Sequence, residues 1–248
     1  MIANMFATAS LPMYDWPEIR AATDAFWAGL ARHAGLVGEL TRNDAYDALW
    51  RDPALLFSQT CGYPFTHEFR GKLSYIATPH YAAQGCEGAN YSSFIFARES
   101  LPASHFGNAK SAVNSLDSMS GMLALKLAFA NQETPLSKPL ITGSHVASLA
   151  AVQSGQADVC AIEAVVVALA RRHRPHLLQG LHEIARSPLV PGLPFVTRSG
   201  DVTQLREALQ KAFADPSLAN AREAMMMTGF SILPTGAYDV ILQREAEL

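Results

Sequence analysis

The chain has 248 residues, 49% of them hydrophobic and 17% charged, with 16 Gly and 14 Pro. That is a globular balance, with length for one large domain or two lobes of roughly 100–150 residues each. Lys and Arg number 19 against 22 Asp and Glu, a formal charge of −3. This excludes an advertised basic face for nucleic acid, so a bound anion must be held by local dipoles and hydrogen bonds.

The N-terminal stretch has no Lys or Arg ahead of its apolar residues, so it lacks the basic region of a signal peptide. Phe6 to Tyr14 reads instead as a strand, centred on "ASLPMYD". Pro17 stands where a helix can start. The helix that follows carries Ile19, Ala22, Phe26, Leu30 and Ala31 on one face and stops at Gly35. "NDAYDALWRD" is a short helix. "ALLFSQTCG", "LSYIATPHY" and the aromatic segment Tyr91–Arg98 are extended.

From residue 111 a strand–turn–helix theme repeats. "SAVNS" leads into the helix "SGMLALKLAFANQ", "KPLITGS" into "HVASLAAVQSG", and "ADVCAIEA" into "VVVALARRHRP". Alternation of this kind argues for an α/β fold with mostly parallel sheets. "LQGLHEIARS" and "PGLPFVTRS" return extended, two helical patterns follow over 202–229, and a short tail closes the chain. No apolar run reaches the roughly 20 residues needed to span a bilayer. The extended segments Tyr91–Arg98 and Pro188–Arg198 bracket the middle region. They suggest a discontinuous first lobe, 1–95 plus 191–248, with a second lobe, 96–190, inserted between two crossing strands.

Ligands of parallel α/β sheets lie beyond the carboxyl ends of the strands. Four such ends are unusually polar: Tyr14-Asp15, Gln59 to Tyr63, Asn114 to Gly121, and Thr142 to His145. At Ser118–Gly121 the first N–H groups of a helix lack intrahelical partners and carry the positive end of its dipole. Ser118 and Ser120 add hydroxyls, and Gly121 lets an oxyanion approach the backbone. The plain alternative is a capped helix with no ligand. "TGSH" repeats the arrangement about one crossover later and sets His145 at the next helix start. Glu163 ends an apolar strand, which is costly for a charge without partners. It is a candidate to accept a hydrogen bond from a ligand or to pair with an Arg, against the alternative of a solvent-facing helix start. Tyr14, Tyr63 and Tyr91 can supply apolar wall and a hydroxyl each.

The three cysteines, Cys61, Cys86 and Cys160, fit neither a zinc pattern nor a disulfide framework and read as reduced, part-buried thiols. No metal-ligand spacing, nucleophile elbow, Walker loop or dinucleotide fingerprint is present, so neither a metal nor a cofactor is expected. "RRHRPH" reads as a solvated basic face.

Taken in order, "YSSFIFARES", "AVNSLDSMSG", "TGSHVASLAAVQSGQADVCAIEA" and "SPLVPGLPFVTRSG" resemble the phosphate/phosphite/phosphonate-binding proteins of ABC importers, over about Tyr14 to Gly200. The resemblance implies a two-lobed type 2 periplasmic-binding-protein-like fold, with mixed, mostly parallel sheets joined by two hinge strands. The implied function is capture of a small oxyanion such as phosphonate or phosphate in an interlobe cleft for an ABC permease, without catalysis and without membrane insertion. It implies that the Ser118-Met119-Ser120 turn cradles the oxyanion, with Met119 where a hydroxyl residue is common. His145 would donate to the anion and Glu163 would receive its amino or other polar end. Tyr14, Tyr63 and Tyr91, with Thr60 nearby, would line the other wall. The implied compartment is the periplasm, or the cytoplasm if Met1 is the native start. The competing reading is a cytoplasmic enzyme or metabolite sensor on the same fold, using Cys61 and His145.

Overall fold

The structure is a computed structural model that describes residues 8–42, 45–130 and 136–248. The start of the expected first strand, the first two residues of "NDAYDALWRD" and the end of "SGMLALKLAFANQ" lie outside the described residues. Chain contacts divide the protein into two compact units. The first is Met1–Cys61, His67–Ala82 and Gly192–Pro234; the second is Gly62–Thr66, Ala83–Pro191 and Thr235–Leu248.

The first unit is built on a five-stranded sheet in the order β1-β2-β12-β3-β13. Its strands are β1 (Thr8–Ala9), β2 (Leu55–Gln59), β3 (Ser74–Tyr81), β12 (Phe195–Thr197) and β13 (Met227–Ser231). β12 runs antiparallel to both β2 and β3, while β1 joins β2 in parallel. Helices α1 (Arg20–His33), α2 (Tyr46–Arg51), α7 (Val202–Ala214) and α8 (Ala219–Ala224) complete it. Aromatic rings knit these layers: Phe26 meets Phe213 at 5.7 Å, Trp27 meets Phe57 at 5.7 Å, and Phe57 meets Phe195 at 5.0 Å. A Cβ on Gly29 of α1 would lie 2.4 Å from Leu218 Cδ1, so this glycine lets the chain before α8 close onto α1.

The second unit holds a five-stranded sheet ordered β10-β6-β9-β7-β8. These are β6 (Ser93–Ala97), β7 (Ser111–Val113), β8 (Leu140–Ile141), β9 (Val159–Glu163) and β10 (His182–Arg186). β7 pairs in parallel with β8 and β9, and β6 runs against β9 and β10. The parallel pairs belong to the strand–helix–strand units that the sequence displays, and the antiparallel pairs to the crossing strands. β6 and β9 are buried along their whole length, as central strands covered on both faces are. Ile95, Val113, Leu125, Phe129 and Val159 form a core beneath α4 (Ala124–Ala128). Helices α5 (His145–Gln153) and α6 (Ala164–His173) follow β8 and β9, and β4 (Cys86–Glu87), β5 (Asn90–Tyr91) and β11 (Val190–Pro191) make a small separate sheet.

Four local expectations are corrected. The first strand ends at Ala9, and Pro12–Tyr14 is a 3-10 turn with Pro at its start, because proline has no N–H for a ladder. The last helical pattern stops at Ala224; Met226 takes φ 56° and the chain turns into strand β13. The tail forms helix α9 (Asp239–Ala246), in which Ile241 is fully buried. The division between units also differs, since residues 62–66, 83–95 and 235–248 group with the second. The cause is local packing. Helix α3 (Gly62–His67) meets α9 through Phe65 against Tyr238 at 5.2 Å and a 2.8 Å hydrogen bond from Tyr63 to Glu245.

Candidate anion-binding site

The parallel strands β7, β8 and β9 end at the same edge of their sheet, which brings Asn114, Thr142 and Glu163 to one side. Pairing continues past the strands: the Thr142 amide donates to the Val113 carbonyl at 2.8 Å and the Gly143 amide to Asn114 at 3.0 Å. The turns before α4 and α5 are thereby held side by side.

Ser118 caps the first of these turns. Its backbone is extended, and its hydroxyl accepts from the Gly121 amide at 2.9 Å. The next five residues, Met119–Leu123, form a π-helical turn closed by the Leu123 amide on the Ser118 carbonyl at 3.0 Å. Such widened turns recur at functional sites. Among the described residues no acceptor is found for the Met119 or Ser120 amide, as expected for the first positions of a helix. The Met119 side chain is fully buried, so its backbone is what it can offer a ligand.

Ser144 caps α5 in the same way, accepting from the Ala147 amide at 3.1 Å. Thr142 steadies this turn through its hydroxyl, bonded to the Val113 carbonyl at 3.0 Å and to Ser148 Oγ at 2.7 Å. His145 follows at the first helical position, with its Nε2 2.9 Å from Ser120 Oγ. Ser120 Oγ is in turn 3.4 Å from Ser118 Oγ. The two turns that the sequence marks separately therefore meet through a chain of three polar side chains. Burial pushes the His145 imidazole down to about 4, partly offset by the Ala161 carbonyl, so the ring is neutral at neutral pH.

Gly121 is required by this packing rather than by its backbone angles. A Cβ there would stand 2.0 Å from Asn114 Oδ1 and 3.2 Å from Ser118 Oγ. Asn114 lies in a segment that the sequence marks as polar, but its side chain was not among the expected site residues; only the sheet register shows that it reaches over Gly121.

The other expected residues are placed as follows. Glu163 is 2% exposed and caps α6, accepting from the Val165 and Val166 amides at 2.9 and 3.1 Å. It is therefore not a solvent-facing helix start, and helix amides meet part of the cost of burying it. With burial, its charge pushes the nearby Cys86 thiol up to about 12. Tyr91 is buried in β5, opposite Cys86 and Val190. Tyr63 donates to Glu245, and burial together with the Glu245 and Asp117 carboxylates pushes it up to about 12. Tyr63 and Tyr91 thus belong to the same unit as the serine turn. In the first unit, Tyr14 stands edge-on to Tyr81 at 5.3 Å. Thr60, fully buried, donates its amide to the Pro194 carbonyl at 3.1 Å. Gln59 bridges Tyr81 Oη at 3.1 Å and the Leu193 carbonyl at 3.0 Å, an arrangement the sequence reading missed. Cys61, Cys86 and Cys160 are free thiols. Among the described residues no cluster of three His, Cys, Asp or Glu could hold a metal, and no helix is long and apolar enough to cross a membrane.

Residues 54–233 match the family described as "ABC transporter, phosphonate, periplasmic substrate-binding protein". The chain belongs to this family. It is a solute-binding protein, and the family is one of transporter components rather than enzymes, which does not favour the thiol-based alternative. No curated protein sequence matches this family member. Solved structures give it the fold of periplasmic binding proteins. PhnD1 from Prochlorococcus marinus, in complex with methylphosphonate, is 14% identical with a TM-score of 0.76, covering 98% of this chain and 98% of that one. A binding protein component of an ABC phosphonate transporter from Pseudomonas aeruginosa is 16% identical with a TM-score of 0.73, covering 96% and 85%. A Xanthomonas citri protein bound to ATP is 18% identical with a TM-score of 0.71, covering 97% and 96%.

Proposed function

We propose that the protein captures a small tetrahedral oxyanion, a phosphonate or phosphate, at the turn Ser118–Gly121. The observation that carries this is the convergence of Ser118, Ser120 and His145 at the start of the turn, beside the Met119 and Ser120 amides. The Met119 and Ser120 amides and the two serine hydroxyls supply donors, and the start of the 119–128 helix favours negative charge. In the tautomer that carries its proton on Nε2, His145 exchanges its bond with Ser120 for one donated to the anion. Hydrogen bonds to an ionised acceptor in an enclosed site are about twice as strong as neutral ones. Glu163, Tyr63 and Tyr91 are assigned to the remainder of the ligand, and Tyr14 and Thr60 are further candidate contacts. The reading places the protein's work in the periplasm, delivering its ligand to an ABC permease.

Isothermal calorimetry with methylphosphonate and with inorganic phosphate tests the site. Ser120→Ala and His145→Ala should each weaken binding by tenfold or more while the folded circular-dichroism spectrum is kept. Unchanged affinity in both variants would remove these residues from the site.

A further inference from the structure

The basic run that ends α6 takes no part in the anion site, and the fold adds to its charge. Between Glu163 and Glu183 the chain has three arginines and three histidines and no carboxylate. Glu163 caps the start of α6, and the ten residues of the helix carry the chain about 15 Å away from it. Arg171 and Arg172 are exposed at the far end, followed by Arg174 and by His176 in the 3-10 turn Pro175–Leu178. Strand β10 brings a fourth arginine to the same place. The Arg186 guanidinium lies 4.3 Å from the centre of the Phe94 ring and that of Arg171 lies 5.1 Å from it, so two cations share one aromatic ring. Arg171 donates to a neutral partner, Gln84 Oε1, at 2.6 Å, and Arg186 donates to Glu183 at 2.6 Å. The helix dipole favours cations in the last turn, which accounts for Arg171 and Arg172. It does not account for Arg186, which stands on a strand.

We propose that this arginine face attaches the protein to the surface of an anionic phospholipid bilayer. Protein partners are bound chiefly through buried aromatic or aliphatic anchors. Among the described residues, none of the large exposed hydrophobic side chains lies between 164 and 187. A bilayer needs no such anchor. It rewards each arginine near its surface separately, by about fivefold in attachment. The overall charge of −3 does not oppose this, because exposed charges more than about 8–10 Å away are largely screened at physiological salt. The anion site is at the Glu163 end of α6 and the arginines are at the other, so attachment leaves the site free to bind.

Co-sedimentation of the full chain with vesicles tests this, using phosphatidylcholine alone and a 7:3 mixture of phosphatidylcholine with phosphatidylglycerol, in 50 mM NaCl. The wild type should partition onto the mixed vesicles at least tenfold better than onto the neutral ones, and raising NaCl to 500 mM should remove most of the difference. Arg171→Gln with Arg186→Gln, and separately Arg172→Gln with Arg174→Gln, should each weaken attachment tenfold or more. Lys72→Gln with Lys211→Gln removes the same charge from the first unit and should stay within twofold of the wild type. Equal partition of the wild type onto both vesicles overturns the proposal, as does a pair of arginine variants that attach like the wild type. Equal losses in the arginine and lysine variants also overturn it, since attachment would then follow total charge. Tighter binding to soluble polyglutamate than to mixed vesicles of equal negative charge would assign the face to an acidic protein instead and overturn the bilayer.

Discussion

His145 shows how one residue can couple ligand, protons and stability. Its ring is held by Ser120 on one side, and burial keeps it neutral down to about pH 4 against an ordinary value of 6.5. The unfolded chain therefore takes up the proton first. This group's contribution to stability is fully present above about 6.5 and is lost as pH falls towards 4. The loss is on the order of 2 kcal/mol, discounted for the ring's partial exposure. Thermal melts at pH 7 and pH 4.5 should show a larger fall for the wild type than for His145→Gln; the same fall in both would place the titration elsewhere. Ser118, Ser120, Gly121 and His145 could be picked out in the sequence because capping has a short-range signature of hydroxyl, glycine and apolar run. Asn114 could not, because its place over Gly121 follows from the register of β7 with β8. Glu163 was legible only as a buried charge in need of partners; that two of those partners are the amides of its own helix required the strand to end one residue before α6.

At the scale of elements, the strands and helices of the second unit follow the alternation visible from residue 111 onward. β6, β7 and β9 are short, fully buried runs, and α5 lies between Ser144 and Ser154. The failures share a cause. β13 is written "MTGFS", a strand assembled at the edge of the first sheet beside β3, and tertiary pairing there overrides the helical pattern of the preceding residues. α9 is short, and its stability comes from Ile241 rather than from helix propensity. A Cβ on Gly62 of α3 would be 2.6 Å from Ile241 Cδ1, which shows how closely the two helices approach. Ile241→Ala should cost about 3 kcal/mol, read as a lower denaturation midpoint in urea with an unchanged slope. A change below about 0.5 kcal/mol would mean that α9 is not part of the packed unit.

At the scale of the molecule, the resemblance carried by the order of four segments was enough to predict a family of solute-binding proteins, because it sums many weak signals along the chain. The boundaries were not legible, since they depend on which surfaces pack together. The polypeptide passes between the units five times, after residues 61, 66, 82, 191 and 234. That threading has a consequence in time. The first unit lacks β12, α7 and β13 until residue 234 has been made, and the second lacks α9 until the last residues. Domains made of one continuous segment fold in turn as synthesis proceeds; here neither unit can. Ribosome-bound chains stalled with residue 190 exposed should be digested by protease throughout, whereas the released full-length chain resists. A protected fragment from the stalled chain would show that one unit folds without its late strands. During synthesis, then, the whole burden of keeping two unfinished apolar cores from aggregating falls on whatever binds the nascent chain.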